Sequence, residues 1–140
     1  MGHLRFGLFY VLCGLLAAVA QILSSPASPV PMVGASGAIG GVMGAYVLLY
    51  PRVSVHVLIF PFTFTVPALL MLGYWFLIQL GSGVASLGVG GGGVAFWAHV
   101  GGFAGGAVLI PLFRDPSLVA RHPYHGWTQP RAPTRAWRRL

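Results

Sequence analysis

Two side chains with catalytic potential lie inside long apolar segments of this sequence: the hydroxyl of Ser36 and the imidazole of His99. A serine hydroxyl becomes a strong nucleophile only when a neighbouring base accepts its proton. A neutral imidazole can accept that proton and later return it to a leaving group. The pair therefore predicts acyl-transfer chemistry if the fold brings the two side chains together. Taken alone, each residue also fits a structural role in helix packing or at a membrane interface.

The elements that must position this pair are membrane helices. The chain of 140 residues is 56% hydrophobic and 6% charged, whereas soluble domains carry about 25% charged residues. A hydrocarbon core ~30 Å thick is crossed by roughly 20 apolar residues in a helix. Four runs approach this length, at residues 5–23, 34–50, 55–80 and 94–113. The sequence thus predicts an all-α transmembrane bundle of four spans over residues 1–113.

Two details of this organisation are left open by the sequence. Pro67 interrupts the third run, which is either a kinked helix or a helix that starts later. After the fourth run, residues 114–140 form a basic tail rich in Pro and Arg, which is predicted to be largely disordered. This tail is predicted to be solvated or to lie on anionic lipid.

The arginines predict the orientation of the chain in the membrane. There are eight arginines, no lysine and one acidic residue, which gives a net charge of +7. With four spans, Arg5, Arg52 and the six arginines after Phe113 all fall on one side, and the two remaining loops carry no charge. By the positive-inside rule, both termini are predicted to be cytoplasmic. A nucleic-acid partner is not expected, because the arginines form no basic face on a folded module.

The same topology predicts that Ser36 and His99 lie at one depth. Ser36 is sixteen positions before Arg52, and His99 is fifteen positions before Arg114. Both helices run in the same direction, and a helix rises ~1.5 Å per residue, so both side chains lie roughly 22–24 Å from the arginine that follows their span. If the second and fourth helices touch, the two side chains can form a hydrogen bond.

Glycines predict that these two helices do touch. Small residues at spacings of three and four let helix backbones approach closely in lipid. The second span carries Gly34, Gly37, Gly40, Gly41 and Gly44, and the fourth carries Gly101, Gly102, Gly105 and Gly106. The predicted packing residues are Gly40 and Gly44 on the second span and all four glycines of the fourth span.

Other parts of a catalytic site are predicted around the serine. No Asp or Glu lies within the spans to orient the imidazole, so Ser36 and His99 are expected to act as a dyad. An oxyanion needs hydrogen-bond donors, and the backbone N–H groups at the start of a helix, including that of Ser36, can supply them. Gly34, Ala35 and Gly37 are expected to shape the turn that presents the nucleophile.

Two segments of the chain resemble the signature motifs of the rhomboid family of intramembrane serine proteases. The segment GASGAIGGVMGAY contains the family's GxSG motif at residues 34–37, and FWAHVGGFAGG contains its AHxxGF-like motif at residues 98–103. The segments RFGLFYVLCGLLAAVAQ and VPALLMLGYWFLIQL also resemble spans three and five of bacterial rhomboids. The resemblance covers residues 1–113 and corresponds to spans three to six of a six-span core.

This resemblance implies a function and a location. Ser36 would be the nucleophile and His99 the general base, in an enzyme that cleaves transmembrane helices near helix-destabilising sites. No cofactor and no metal are implied. The expected location is the inner membrane of a bacterium, and the expected partners are the lipid bilayer and transmembrane substrates. Neither the identity of the substrate nor the oligomeric state is predicted.

The chain also departs from the family pattern. The second span of the family carries a histidine and an asparagine that help to bind the oxyanion, and these have no counterpart in this sequence; Met1 either starts the protein or lies within a longer one. The family usually has a bulky, often aromatic residue four positions after the serine, where this chain has Gly40. A rhomboid-like protein that binds transmembrane helices without cleaving them is therefore the alternative. A transporter or channel is disfavoured, because the spans lack a chain of polar residues.

Overall fold

The computed structural model describes residues 1–28, 31–87 and 94–122. Along the chain, the elements are α1 (His3–Ser24), α2 (Ser36–Leu49), β1 (Ser54–Ile59), β2 (Phe62–Pro67), α3 (Ala68–Ser86), α4 (Phe96–Phe113) and α5 (Pro116–Ala120). Helices α1, α3 and α4 are long and apolar enough to cross a membrane, and α2 is a shorter apolar helix of 14 residues. The predicted helical membrane bundle is thereby confirmed, and among the described residues a two-stranded hairpin departs from an all-α fold.

Helices α1, α2 and α4 pack together at the centre of the bundle, with α1 antiparallel to the other two. At the start of α1, the ring of Phe9 packs edge-on against Phe113 at the end of α4, with 5.6 Å between the ring centroids. The buried cluster at this end consists of Phe9, Cys13, Ala45 and Ile110. Because α1 begins where α2 and α4 end, Arg5, Arg52 and Arg114 lie at one end of the bundle, called here the arginine end.

Direct contact between backbones joins α2 and α4. A Cβ atom added at Gly102 would overlap the carbonyl oxygen of Gly37, and one added at Gly106 would overlap that of Gly41. Such contact requires glycine at the position that faces the backbone of the other helix. A Cβ atom at Gly44 would in the same way overlap the backbone of Phe103. The two helices therefore lie closer together than any pair of larger residues would allow.

The remaining glycines predicted to pack face α1 or the site. A Cβ atom at Gly101 would meet the methyl group of Ala20, and one at Gly105 would lie 2.6 Å from Leu16 Cδ1. Gly40 has more room, because its added Cβ atom would lie 3.2 Å from the nearest atom, the carbonyl oxygen of His99. All six predicted packing glycines thus lie at contacts between helices.

The third span begins later than the apolar run at residues 55–80 predicts. Its first part forms the antiparallel hairpin of β1 and β2, and α3 begins at Ala68, as in the second of the two alternatives that Pro67 left open. Alternating β-branched and aromatic residues favour strands here, and proline suits the residue before a helix because it has no N–H to satisfy. At the other end, α3 extends to Ser86, six residues beyond the predicted end of the third run at residue 80.

Part of the predicted tail is also ordered. The carboxylate of Asp115 accepts hydrogen bonds from the Ser117 N–H (2.9 Å), the Ser117 hydroxyl (2.7 Å) and the Leu118 N–H (3.4 Å). These bonds cap α5 and lower the pKa of Asp115. The prediction of disorder falls mainly on residues 123–140, which lie outside the described residues.

Candidate active site

Ser36 is the first residue of α2, and its side chain is exposed. The chain reaches it through Gly34, whose φ of +121° is a backbone conformation that L side chains rarely adopt. The first helical hydrogen bond runs from the Ile39 N–H to the Ala35 carbonyl, at 3.0 Å. The N–H groups of Ser36 and Gly37 therefore precede the hydrogen-bond ladder of the helix, where amides are available to a ligand.

His99 lies in the first turn of α4, beside the start of α2. Its Nε2 atom is 2.9 Å from the Oγ atom of Ser36. The two residues come together because α2 and α4 are parallel and in backbone contact, and because each lies at the beginning of its helix. The hydroxyl and the imidazole are thus within hydrogen-bonding distance, as a nucleophile and its base must be.

Gln79 of α3 contacts the other nitrogen of the imidazole. Its Oε1 atom lies 2.8 Å from Nδ1 of His99. An amide oxygen only accepts hydrogen bonds, so Nδ1 is the nitrogen that carries the proton in this arrangement. The neutral ring then has Nε2 free to accept the proton of the Ser36 hydroxyl. Gln79 therefore favours the tautomer that a general base requires.

Trp75, one helical turn before Gln79, packs on the imidazole ring. The ring centroids of Trp75 and His99 are 5.7 Å apart, with an angle of 43° between the ring planes, and Trp75 also contacts Phe103 at 6.2 Å. A Cβ atom at Gly40 would already lie 3.8 Å from Cη2 of Trp75. With Gly40 in place of the bulky residue usual in the family, the aromatic contact to the histidine is made by Trp75 of α3.

Two side-chain hydrogen bonds hold the start of α4. The Ala98 N–H donates to Oε1 of Gln21 near the end of α1, at 3.2 Å. The indole N–H of Trp97 donates to the carbonyl oxygen of Gly83 in α3, at 3.1 Å. Because these two residues directly precede His99, the backbone that carries the imidazole is held by both α1 and α3.

A cavity of about 450 Å³ opens beside the hydroxyl of Ser36. It lies between the end of α1, the segment that precedes α2 and the start of α4. Small residues of the three helices form much of its wall, and the polar groups that line it include Gln21, Ser25, Ser28, Ser36 and His99. A peptide segment that enters this cavity would place its backbone next to the serine hydroxyl.

The sequence analysis missed the roles of three side chains in this site: Gln79, Trp75 and Gln21. A signal for the first two was present, since residues four apart share one face of a helix and a polar side chain inside an apolar span marks a functional candidate. What the spacing could not give is the rotation of α3 that turns this face towards His99. Nothing in the sequence distinguished Gln21, which lies at the end of its span.

The fold and this site together define an integral membrane protein in which membrane helices bring a serine and a histidine into hydrogen-bonding distance. The chain belongs to the rhomboid family: the family model of the Rhomboid domain matches residues 1–116. Comparison with curated proteins and with solved structures gave no match. The family match covers all four apolar helices, so the bundle lies in a lipid bilayer.

Proposed function

We propose that this protein is an intramembrane serine endopeptidase that cleaves transmembrane helices of substrate proteins with Ser36 and His99. The observation that carries the proposal is the 2.9 Å distance between Ser36 Oγ and His99 Nε2. The Nδ1 atom of the same ring is hydrogen-bonded to the side-chain oxygen of Gln79. Membership of the rhomboid family supports the same reaction class. No metal or cofactor is needed for it.

The reaction begins with attack by Oγ of Ser36 on the scissile carbonyl carbon, while Nε2 of His99 takes the hydroxyl proton. The tetrahedral intermediate places its negative oxygen near the N–H groups of Ser36 and Gly37. The imidazolium then gives its proton to the leaving amine, which leaves an acyl group on Ser36. A water molecule then attacks the ester carbon while Nε2 takes one of its protons. The imidazolium returns this proton to Oγ as the bond between Oγ and the acyl carbon breaks, which releases the new carboxyl terminus and restores the serine.

The proposed orientation places this chemistry near the non-cytoplasmic surface of a bacterial inner membrane. The arginine end lies opposite the Ser36–His99 end of the bundle, and cytoplasmic segments carry an excess of arginine. Both termini are then cytoplasmic. The substrate is a transmembrane helix with residues that weaken helical structure at the scissile bond, because a backbone must unwind before Ser36 can reach its carbonyl carbon.

The test is a cleavage assay with the 140-residue chain in proteoliposomes that also contain a model transmembrane substrate, together with labelling by a fluorophosphonate probe. We expect both cleavage and labelling for the wild-type chain, and neither for Ser36→Ala. Ser82→Ala is the matched control, since this serine of α3 lies outside the site. Labelling that persists in Ser36→Ala would contradict the proposal, and a folded wild-type chain that is never labelled would point to a helix-binding protein without protease activity.

A further inference from the structure

The hairpin of β1 and β2 has one apolar face and one mainly polar face. Residues directly opposite each other in an antiparallel pair lie on the same side of the sheet. The pairs on the first side, called here the apolar face, are Val55–Val66, Val57–Phe64 and Ile59–Phe62. The pairs on the second side, called the polar face, are Ser54–Pro67, His56–Thr65 and Leu58–Thr63. On the polar face, His56 Nδ1 and Thr65 Oγ1 are 3.3 Å apart.

Within the described chain, the half of the apolar face nearer the turn is uncovered, whereas Val55, Val57 and Val66 nearer the base are half-buried. The hairpin packs on α3 and on none of the other described helices. Its large side chains are 62% (Ile59), 66% (Phe62) and 49% (Phe64) exposed, and Phe60 at the turn is 90% exposed. Exposure of these aromatic and branched apolar side chains to water would be unfavourable in free energy.

The base of the hairpin is fixed at the arginine end of two spans. The Ala68 N–H donates to the Val53 carbonyl (2.7 Å), and the Leu69 N–H donates to the Pro51 carbonyl (3.0 Å). These bonds tie the first turn of α3 to the segment that follows α2, so the hairpin starts and ends where membrane helices end. That position is the surface of the bilayer.

The surface of α3 continues the apolar face towards the membrane interior. Ala68 follows Pro67 without a linker, and the first turn of α3 exposes Leu69 (49%) and Leu70 (61%). In a spanning helix these side chains face lipid. The apolar face of the hairpin is thus next to a surface that lipid already covers.

The hairpin cannot lie deeper than the interface. In the part of the chain that the structure describes, its two strands form a sheet of two, so both strands are edge strands whose outward backbone groups have no partner in the sheet. Such groups are not tolerated in the hydrocarbon core, where no water can bind them. At the interface they remain hydrated, while apolar side chains on one face enter the boundary of the acyl chains.

We propose that the hairpin Ser54–Pro67 is a lipid-binding element that lies along the bilayer surface at the arginine end. Ile59, Phe62 and Phe64 enter the acyl-chain boundary of that leaflet, and His56 and Thr65 face water. The partner is the lipid itself, and the inference does not depend on whether Ser36 is a nucleophile.

The test measures the surroundings of single nitroxide labels in the full chain. Cys13, a buried cysteine of α1, is first changed to alanine. In this Cys13→Ala background, each variant carries one new cysteine, to which the label is attached. The apolar-face positions are Phe62→Cys and Phe64→Cys, and the matched polar-face positions, each one residue further, are Thr63→Cys and Thr65→Cys. The protein is reconstituted in vesicles of equal parts phosphatidylcholine and phosphatidylglycerol, and collisions with oxygen and with a water-soluble nickel complex are measured for each label.

Compared with labels at positions 63 and 65, we expect labels at positions 62 and 64 to collide more often with oxygen. We expect them to collide several-fold less often with the nickel complex. An alternation with a period of two along one strand is the signature of a sheet lying flat on the bilayer. Frequent nickel collisions at all four positions would overturn the proposal, because the hairpin would then project into water. Low collision rates with both probes at positions 62 and 64 would also overturn it, because protein, such as a second copy of the chain, would then cover the apolar face.

Discussion

The side-chain oxygen of Gln79 lies 2.8 Å from Nδ1 of His99, while Ser36 Oγ lies 2.9 Å from Nε2 of the same ring. A membrane helix thus supplies a neutral hydrogen-bond acceptor at the place where soluble serine proteases use a carboxylate. A neutral acceptor avoids the cost of an ionised carboxylate within a membrane span. It still determines which nitrogen of the imidazole carries the proton.

Replacement of Gln79 by leucine is expected to slow both probe labelling and cleavage by about 10- to 100-fold, because the Nδ1–H group loses its acceptor in a partly buried site. Gln79→Glu keeps an acceptor oxygen and should stay closer to the wild-type rate. Leu77→Ala, on the lipid-exposed side of the same helix, is the matched control and should leave the rate unchanged.

The ¹⁵N NMR spectrum of His99 distinguishes orientation of the ring from a general structural effect. In the wild-type chain we expect the neutral ring to carry its proton on Nδ1, and in Gln79→Leu we expect a mixture of both tautomers. An unchanged tautomer in Gln79→Leu would show that Gln79 does not orient His99, even if the rate of labelling or cleavage falls.

Truncation of Trp75 is expected to increase the mobility of the His99 side chain. Trp75→Ala removes the ring contacts to His99 and Phe103, and we expect the free energy of unfolding in bicelles to fall by about 1–2 kcal/mol. Labelling by the fluorophosphonate probe should slow as well. Trp75→Phe keeps an aromatic ring and should recover most of both losses, whereas Tyr74→Phe, a change at a neighbouring exposed residue, should alter neither.

Gly102→Ala tests the backbone contact between α2 and α4. The added methyl group would overlap the carbonyl oxygen of Gly37, and because backbone atoms cannot move aside as a side chain can, the helices must separate. We expect unfolding to become easier by about 2–3 kcal/mol and probe labelling to be lost. Gly73→Ala is the control, since an added Cβ atom there meets no heavy atom within 4 Å. Equal stability of the two variants would refute the proposed role of this contact.

Gly34→Ala tests the turn that precedes Ser36, the proposed nucleophile. There is space for a methyl group, whose nearest neighbour would be Ser36 Oγ at 3.9 Å, but the φ of +121° is unfavourable for alanine. Such backbone strain costs on the order of 1–3 kcal/mol, so we expect slower labelling with an unchanged content of helix in circular dichroism. Ala35→Gly, which places no such demand on the backbone, should label at nearly the wild-type rate. A wild-type rate in Gly34→Ala would show that the turn tolerates another conformation.

Much of the fold could be predicted because hydropathy and glycine spacing depend on local sequence. The family and the helical membrane bundle were predicted from the sequence and are confirmed. The start of the third span was left open between a kinked helix and a helix that starts later, since residues 55–67 are as apolar as a span. A measure of total hydrophobicity does not detect the period of two that makes them strands. An explicit search for that alternation would have located the hairpin.

The candidate site was less accessible to sequence analysis. Nearly equal separations from Arg52 and Arg114 predicted a common depth for Ser36 and His99, and both were already candidates by their chemistry. The partners of the imidazole depend instead on how α3 is rotated against α4. That rotation is set by packing between helices distant in the sequence, so neither Gln79 nor Trp75 could be assigned to His99 beforehand.

The glycine contact between α2 and α4 also bears on how this protein can vary over generations. The separation of Ser36 and His99 depends on main-chain atoms that meet at Gly37, Gly41, Gly102 and Gly106. Outward-facing side chains of the same helices, such as Leu48 and Val108, are exposed to lipid and take no part in that spacing. Mutations can therefore accumulate on the lipid-facing surface, adapting the protein to membranes of different composition, while the geometry between serine and histidine is inherited unchanged.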